Sequence, residues 1–362
     1  MSETRTVTVG APSRSYDVTV GAGLLPRVGA VCRDACGGDL AFVVTDSNVG
    51  PLYGDTVERS LADAGYGTAR FTFPAGEASK NAATLFSCLG TMADAGCTRD
   101  TVVVALGGGV TGDLAGLAAA LYMRGCPVVQ VPTSLLAMVD SSVGGKTAVD
   151  LPQGKNLVGA FWQPWAVVAD VACLETVPED LLLDSVGEVV KHGVLADPAL
   201  FGEVTSSPVT ARPLDLDRLA AVVARNVEIK RDVVDADERE RGLRQTLNLG
   251  HTAGHAIEAA SGFSLGHGSS VACGLAVVAR GCAAEGLVDP AVAHAIVSGL
   301  EACGLPVRCN ASVDDVLSLS RSDKKRHGDT VNLVVPVAIG KVEVVPMAFE
   351  RYAAIVARGM EG

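Results

Sequence analysis

The chain has few aromatic residues and no excess of basic charge. Phe, Trp and Tyr make up 4% of the 362 residues, and the formal net charge at pH 7 is −12. Nucleic-acid-binding proteins usually carry a basic surface, often with interleaved aromatic side chains, so this composition argues against a nucleic-acid partner. An anionic ligand would have to bind in a local cationic pocket of an acidic protein.

The sequence also lacks a long apolar run. No segment reaches the ~20 uninterrupted apolar residues of a membrane span, and no secretory signal precedes the first strand-like segment. The ten cysteines are scattered through apolar patterns, which is typical of buried thiols in a reducing compartment. We therefore expect a cytoplasmic protein with no membrane partner.

Histidine and lysine are scarce, and both are concentrated in a few segments. Three of the six histidines, His251, His255 and His267, fall within 17 residues. This cluster indicates metal or proton chemistry. Only eight of the 29 basic residues are lysine. Because arginine is the usual cation of this chain, the retained lysines indicate pockets that need a compact ammonium group.

Hydrophobic periodicity predicts two domains, and the chain is long enough for two cores. In the first half, β-rich runs alternate with helical segments such as Lys80–Ala95 and Asp113–Met123. Such alternation predicts βαβ units and a mostly parallel sheet, with ligands at the carboxyl ends of its strands. The predicted strands are Thr6–Val9, Tyr16–Val20, Leu40–Thr45, Ala69–Phe73, Thr101–Leu106, Val128–Val131 and Ala166–Val171.

After about Pro178, long helical patterns dominate. They cover Glu179–Ala196, Leu216–Asp237, Glu238–Ala260, Ser269–Glu285 and Pro290–Ala302, and a late hairpin is predicted from Val331–Val335 and Val342–Val345 around Ile339-Gly340. We therefore predict an α/β Rossmann-like nucleotide-binding domain over residues 1–178. A mainly α-helical metal- and substrate-binding domain follows over residues 179–362, and we expect the site between the two.

A glycine-rich turn follows the predicted strand Thr101–Leu106. Gly107-Gly108-Gly109-Val-Thr-Gly112 satisfies the G-x-G-x-x-G spacing and opens a helical pattern, which favours a dinucleotide phosphate at a helix N-terminus. The alternative is a turn required only for packing. Asp113 would repel a phosphate, which leaves helix capping or ribose binding as its roles. Asp46 and Asn48 follow another strand, where a nucleotide would also bind.

Two further segments combine polar residues with lysine. The stretch from Thr133 to Thr147 ends in Gly144-Gly145-Lys146, which is not a Walker loop because the first glycine of that spacing is missing. It is consistent with either a ligand-binding turn or a surface loop. Glu188 and Lys191 are three residues apart and share a helical face, as a buried functional pair or an exposed ion pair.

Spacing alone makes His251 and His255 a candidate metal pair, because residues four apart lie on one helix face. His267 or Glu258 would then be the third ligand. The alternative is a set of helix-capping or core histidines.

Seven segments, in this order and spacing, resemble the 3-dehydroquinate synthase family. They are LGGGVTGDLAG, YMRG, QVPTSLLAMVDSSVGGKTAVDLPQGKN, GEVVKHG, GLRQTLNLGHTAGHAIE, HG and DKK, and the match extends from Asp46 to Lys325. The resemblance implies two cofactors, NAD and a divalent metal, zinc or cobalt. It also implies conversion of 3-deoxy-D-arabino-heptulosonate 7-phosphate to 3-dehydroquinate and phosphate, by oxidation, phosphate β-elimination, reduction and aldol closure.

The resemblance also implies residue roles. Glu188, His251 and His267 would hold the metal, Lys230 and Arg244 the substrate carboxylate, and Asp140 and Lys191 would lie against the reacting hydroxyls. The implied phosphate ligands are Lys146, Asn156, Asn248, His255, one of Lys324 and Lys325, and Arg124 of the partner subunit in a homodimer. The implied NAD site consists of Asp46, Asn48, Glu77, Lys80, Gly108, Gly109, Asp113, Thr133, Ser134, Lys146 and Lys155.

The sequence departs from the family pattern at four positions. Ala253 replaces a usual phenylalanine, Ser269 a frequent glutamate, His192 a common tyrosine and Asp150 a common asparagine. Three alternatives remain: another sugar-phosphate cyclase of the valiolone type, an iron-type alcohol dehydrogenase, and a non-catalytic NAD-binding protein. The pairing of Lys230 with Arg244 favours a carboxylated substrate over the first of these.

Overall fold

The computed structural model describes residues 3–321, 326–327 and 330–362, which divide into two compact units. The first unit is Met1–Val177 with Asp215–Arg239, and the second is Pro178–Leu214 with Glu240–Gly362. The strands are β1 (Arg5–Ala11), β2 (Arg14–Gly21), β3 (Leu40–Asp46), β4 (Gly67–Phe73), β5 (Val102–Gly107), β6 (Val128–Pro132), β7 (Lys146–Leu151), β8 (Gly154–Phe161), β9 (Ala166–Asp170), β10 (Arg326–His327), β11 (Thr330–Ala338) and β12 (Lys341–Ala348). The helices are α1 (Val28–Ala35), α2 (Asp55–Asp63), α3 (Ala82–Asp94), α4 (Gly109–Leu121), α5 (Glu179–Ala196), α6 (Pro198–Ser206), α7 (Leu216–Ala236), α8 (His251–Ala260), α9 (His267–Ala284), α10 (Pro290–Ala302), α11 (Val313–Arg321) and α12 (Phe349–Glu361).

A seven-stranded sheet forms the centre of the first unit, in the order β1-β2-β9-β6-β5-β3-β4. All neighbours are parallel except β1 and β2. Strands β5, β6 and β9 are buried along their whole length, as expected for parallel strands with both faces covered. The order brings the carboxyl ends of β3, β5 and β6 together, so Asp46, Gly107 and Pro132 end neighbouring strands.

Helix α7 packs against β1 in the first unit, although it belongs to the second half of the sequence. Gly10 N donates to Asp235 Oδ1 at 2.8 Å, and the Ser13 hydroxyl donates to Glu238. The division predicted from the sequence at residue 178 would put Asp215–Arg239 in the second domain, whereas the structure puts this segment in the first unit. Amphipathic periodicity shows that a helix has a buried face, but it does not show which part of the chain covers that face.

The second unit consists of α5, α6, α8 to α12 and a sheet in the order β10-β11-β12. Its core joins α8, α9, α11 and α12 to β11. The mainly helical character predicted from the sequence is confirmed, and so is the late hairpin, in which Gly340 has a φ of +84°.

One helix prediction is wrong. The predicted helix Glu238–Ala260 is interrupted by a 3₁₀ turn at Leu243–Asn248 and by Gly250, whose φ is +76°. A Cβ at Gly250 would lie 2.8 Å from Val271 O, so both conformation and space require glycine there. Helix α8 therefore begins only at His251.

The cysteines are buried as expected: nine are buried and Cys309 is partly buried, and all ten are free thiols. Among the described residues, no helix is both long enough and apolar enough to cross a bilayer.

Candidate metal centre and nucleotide site

Three candidate metal ligands converge in the second unit. Glu188 lies in the middle of α5, His251 is the first residue of α8, and His267 is the first residue of α9. One ligand atom from each lies within 4.8 Å of the other two. Glu188 Oε1 is 3.3 Å from His251 Nε2 and 3.4 Å from His267 Nε2.

The Nδ1 atoms of His251 and His267 contact acceptors on the side away from Glu188, and these contacts orient each ring. His251 Nδ1 is 3.1 Å from Leu249 O, and His267 Nδ1 is 3.4 Å from Glu258 Oε2. A proton on Nδ1 leaves the lone pair on Nε2, which in both rings faces Glu188. Metal-bound histidines are held in this way by an outer carbonyl or carboxylate.

The buried Glu188 carboxylate supports the same interpretation. Glu188 is 0% exposed. No hydrogen bond of ordinary geometry from the described residues reaches either of its oxygens. Two imidazole nitrogens and a buried carboxylate therefore lie within reach of a common centre, once His267 has lost its proton. This donor set fits a divalent cation such as zinc, with coordination left for a substrate.

The Lys191 ammonium lies beside the Glu188 carboxylate. It forms an ion pair with Glu188 and donates to Leu247 O at 3.1 Å, and the residue is 1% exposed. Burial would raise the pKa of Glu188, but Lys191 and the two imidazoles hold it well below its usual range. The pair is therefore buried and charged, rather than a solvent-exposed ion pair.

The two imidazoles have opposite pKa shifts. Burial, reinforced by the charge on Lys191, lowers the pKa of His251 well below its usual value, so this ring is neutral and able to act as a ligand. Burial also acts on His267, but the Glu188 and Glu258 carboxylates outweigh it and raise the pKa of His267 to about 10. A metal ion would have to displace a proton from His267.

His255 lies beside the group but is not one of its three members. Its ring centroid is 5.2 Å from that of His251 and 5.8 Å from that of His267. His255 is therefore a close neighbour of His251, as spacing suggested, but the ligand atoms that lie within 4.8 Å of one another belong to Glu188, His251 and His267. Spacing could not identify Glu188, because this residue is distant in the sequence.

The glycine turn lies at the carboxyl edge of the first unit's sheet. Helix α4 begins at Gly109, directly after β5, and its N-cap Gly108 provides no side-chain cap. A Cβ at Gly109 would lie 3.1 Å from Ser141 Oγ, and one at Gly108 would lie 3.4 Å from Ser134 Oγ. The turn therefore packs closely against the segment after β6, where Thr133 N donates to Gly107 O at 3.0 Å.

The sequence left capping open as a role for Asp113, and the structure excludes it. Asp113 is the fifth residue of α4 and pairs with Lys80 Nζ at 2.6 Å. Lys80 also donates to Asn156 Oδ1 at 2.6 Å, and Asn156 N donates to Asp150 Oδ1 at 2.6 Å. Lys155, next in the hairpin, lies 3.6 Å from Glu77. Asp46 faces the same edge and binds the backbone amides of Asn48 and Val49.

The Gly-Gly-Lys segment forms part of a hairpin that the sequence did not predict. Lys146 is the exposed first residue of β7, which pairs with β8, so the segment is not a free surface loop. Nearby in this unit, Lys230 Nζ is 2.7 Å from Asp140 Oδ1 and also donates to the Asp140 backbone oxygen. Arg124 is exposed and has a φ of +70°, in a turn after α4.

The remaining predicted ligands are in the second unit or outside the described residues. Arg244 is 1% exposed, and Asn248 Nδ2 donates to Glu240 Oε1 at 3.0 Å. Lys324 and Lys325 lie outside the described residues. Sequence reasoning missed Asp184, which binds backbone amides at the start of α9. Its position one helical turn before Glu188 was the available signal.

Two family models together match most of the chain. The model for the 3-dehydroquinate synthase N-terminal domain matches residues 70–184, and the model for the C-terminal domain matches residues 185–326. The chain belongs to the 3-dehydroquinate synthase family. A member from Geobacter metallireducens is 45% identical over 344 residues, which cover 94% of this chain and 95% of the relative. A member from Symbiobacterium thermophilum is 47% identical over 339 residues, covering 91% and 94%.

Solved structures support the fold. A 2-epi-5-epi-valiolone synthase from Streptomyces hygroscopicus, with NAD⁺ and Zn²⁺ bound, has a TM-score of 0.86 at 26% identity and covers 96% of this chain and 97% of its own. A 2-deoxy-scyllo-inosose synthase complexed with carbaglucose-6-phosphate, NAD⁺ and Co²⁺ has a TM-score of 0.88 at 24% identity, covering 97% and 99%. The latter likeness bears on the fold alone.

Proposed function

We propose that this chain catalyses the 3-dehydroquinate synthase reaction, with NAD and a divalent metal as cofactors. The reaction converts 3-deoxy-D-arabino-heptulosonate 7-phosphate to 3-dehydroquinate and phosphate, a step of the shikimate pathway. The observation that carries the proposal is the convergence of Glu188, His251 and His267 in a chain that is 45% identical to a named synthase along nearly its whole length.

Glu188, His251 and His267 would hold the metal. A divalent metal held there would polarise a substrate hydroxyl and lower its pKa. Lys191 contributes a fixed positive charge beside the carboxylate, and its burial excludes water from that side. A buried ammonium of this kind can donate to a reacting oxygen as negative charge develops on it. Asp140 would lie against the same hydroxyls and would be oriented by Lys230.

The first unit would bind NAD, which accepts a hydride and later returns it. A helix N-terminus after a parallel strand favours the negative charge of a pyrophosphate. The proposed NAD residues are Asp46, Asn48, Glu77, Lys80, Gly108, Gly109, Asp113, Thr133, Ser134, Lys146 and Lys155. The ion pair between Lys80 and Asp113 supports this assignment, because it fixes the Asp113 carboxylate, a hydrogen-bond acceptor, one helical turn after Gly109.

The substrate carries charge at both ends. We assign its carboxylate to Lys230 and Arg244, and its phosphate to Lys146, Asn156, Asn248, His255 and one of Lys324 and Lys325. Binding both charged ends orients the sugar for the successive steps. Arg244 suits its role because a buried guanidinium favours an anionic partner.

Arg124 of the partner subunit would complete the phosphate site in a homodimer. Met123 and Arg124 have φ values of +47° and +70°, and such strain in residues other than glycine often marks a functional turn. Large apolar side chains are exposed beside this turn and on the β8 hairpin, including Leu121, Met123 and Phe161. Such exposure is more typical of a subunit contact than of a solvated surface. A cytoplasmic location is consistent with the ten free thiols.

Other sugar-phosphate cyclases share the fold but are less similar in sequence. The valiolone-type structure is 26% identical, whereas the curated synthases quoted above are 45% and 47% identical. A substrate without a carboxylate would leave Lys230 and Arg244 with no anion to bind. Comparing turnover of the heptulosonate phosphate with that of an uncarboxylated heptulose phosphate separates these functions.

The decisive experiment measures phosphate release and 3-dehydroquinate formation from the heptulosonate phosphate. With substoichiometric NAD⁺ and zinc or cobalt, we expect many turnovers without net NADH. A chelator should abolish turnover, and added metal should restore it in wild type but not in His267→Ala. His294→Ala, which removes an exposed histidine of α10, is the matched control and should remain active. NADH accumulating in step with product would instead indicate a dehydrogenase, and no phosphate release would refute the proposal.

A further inference from the structure

Helix α9 begins at His267 without a cap of its own. Its N-cap residue is Gly266, which has no side chain to accept from the amides of Gly268 and Ser269. Asp184 of α5 accepts from both: Gly268 N donates to Oδ2 at 3.1 Å, and Ser269 N donates to Oδ1 at 2.8 Å. One carboxylate therefore caps a helix that starts with a proposed metal ligand.

The same contact joins the helices that carry two of the ligands. Asp184 and Glu188 are four residues apart and share a face of α5. The backbones also touch, since a Cβ at Gly187 would lie 2.1 Å from Gly268 O. A Cβ at Gly266 would lie 2.2 Å from Asp184 Oδ1, so glycine is needed where the carboxylate fits. The close backbone approach sets the distance between the helices, and the two amide bonds set the rotation of the first turn of α9.

We propose that Asp184 is a positioning residue of the metal centre: by capping α9 from α5, it fixes the direction of His267 Nε2 relative to Glu188. The inference rests on the proposed metal-binding function of Glu188, His251 and His267. Asp184 would not touch the ion, and it acts through the helix that carries His267. Its effect should therefore appear in metal affinity and in the spectrum of the bound metal, as well as in stability.

Asp184→Ala removes both acceptors without changing the backbone contacts. Residues that orient a metal ligand typically change affinity by 10- to 100-fold, so we expect the Kd for Co²⁺ to rise by about that factor. The visible d–d absorption of the Co²⁺ protein should also change, because His267 reorients. Asp184→Asn keeps one acceptor oxygen and should fall between wild type and Asp184→Ala, which provides a second test if Asp184→Ala folds poorly.

A rescue variant separates capping from other effects of the substitution. Ser269 is the third residue of α9, where a glutamate side chain can reach back to the amide of Gly266 and places a negative charge at the N-terminus of the helix. Asp184→Ala combined with Ser269→Glu should therefore recover most of the Co²⁺ affinity. Asp289→Ala is the matched control: Asp289 caps α10 by accepting from Ala291 N at 2.8 Å, and α10 carries none of the three ligands. It should lower the thermal midpoint without changing the Kd for Co²⁺.

Co²⁺ titrations against a chelator, visible spectra and thermal unfolding of each variant decide the matter. If wild type binds no Co²⁺, the metal-binding proposal itself fails. If wild type binds but Asp184→Ala and Asp184→Asn keep its Kd within twofold and its spectrum, Asp184 has only a structural role and the inference is wrong. A lost affinity that Ser269→Glu leaves uncorrected would equally overturn the capping explanation.

Discussion

Lys80→Met should destabilise the first unit, because it leaves a buried carboxylate without its partner. The Lys80 ammonium lies 2.6 Å from Asp113 Oδ2 and 2.6 Å from Asn156 Oδ1, and its side chain is 6% exposed. Methionine fills a similar volume but supplies neither the charge nor the donors. The Lys80 backbone oxygen still accepts from Asp150 N, so the strand contact is kept.

The magnitude follows from the burial of the pair. Removing one partner of a buried ion pair costs about 3–5 kcal/mol. The Asp113 side chain is 17% exposed and retains some water, so we expect about 3 kcal/mol, the lower end of that range. For a unit of about 200 residues, this free energy corresponds to a fall of roughly 6–12 °C in the thermal midpoint.

The loss should depend on pH. Burial raises the pKa of Asp113 even with Lys80 present, and removing Lys80 takes away the main opposing effect. An acid whose pKa is higher in the folded state binds more protons there, so folding stability falls as pH rises above the unfolded pKa of about 3.9. Lys80→Met should therefore be closer to wild type at about pH 5 than at about pH 8.

Thermal unfolding followed by circular dichroism tests these values, with Arg225→Met as the matched control. Arg225 pairs with Glu228 at 2.7 Å on α7 of the same unit, but both side chains are more than a third exposed, so its loss should cost less than about 0.5 kcal/mol. Replacing both members, in Lys80→Met with Asp113→Leu, should recover much of the stability. If Lys80→Met behaved like Arg225→Met, Lys80 would not be neutralising a buried charge and the reasoning would be refuted.

Three further predictions concern the proposed active site. Glu258→Ala should raise the Kd for Co²⁺ by at least about tenfold, and Glu258→Gln by less, because glutamine can still accept from His267 Nδ1; equal Kd values by chelator competition would contradict this. Lys146→Arg should lower kcat/KM for the heptulosonate phosphate although the charge is kept, because a planar guanidinium cannot replace a compact ammonium; wild-type kinetics would remove Lys146 from the phosphate site. Arg124→Ala and His251→Ala should each be nearly inactive, but refolding them together should restore roughly a quarter of wild-type activity through mixed dimers; verified heterodimers without activity would place Arg124 in its own subunit's site.

The sheet could be predicted because its signal is local. Segments such as Val102–Gly107 are short apolar runs bounded by turn residues, and their length and three consecutive valines favour a buried strand over a buried helix. The hairpin of β7 and β8 was missed because its signal is weak. Gly154–Phe161 is mostly exposed and begins with Gly-Lys-Asn, so neither alternation nor a continuous apolar run marks it as a strand.

The helices could be predicted better than their packing partners or their starts. Helix α5 was predicted with its observed bounds, Glu179–Ala196, because its apolar pattern runs unbroken between Pro178 and Asp197. The break before α8 was not predicted, since the positive φ of Gly250 depends on how closely Val271 approaches it. Helix propensity contains no information about such a tertiary contact.

The proposed metal centre shows why the family motifs named its three residues when spacing within one helix did not. Local spacing favoured His251 and His255, because positions four apart share a helix face. Two of the proposed ligands, His251 and His267, are instead the first residues of two helices. The direction of a first residue depends on what caps its helix. For α9 that cap is Asp184, and one of the amides it binds belongs to Ser269, where the family resemblance leads us to expect a glutamate. A carboxylate can therefore be absent from the helix that needs it and still be supplied by a neighbouring helix. Replacing Asp184 would therefore remove a helix cap that the sequence does not indicate, because the cap depends on the packing of α5 against α9.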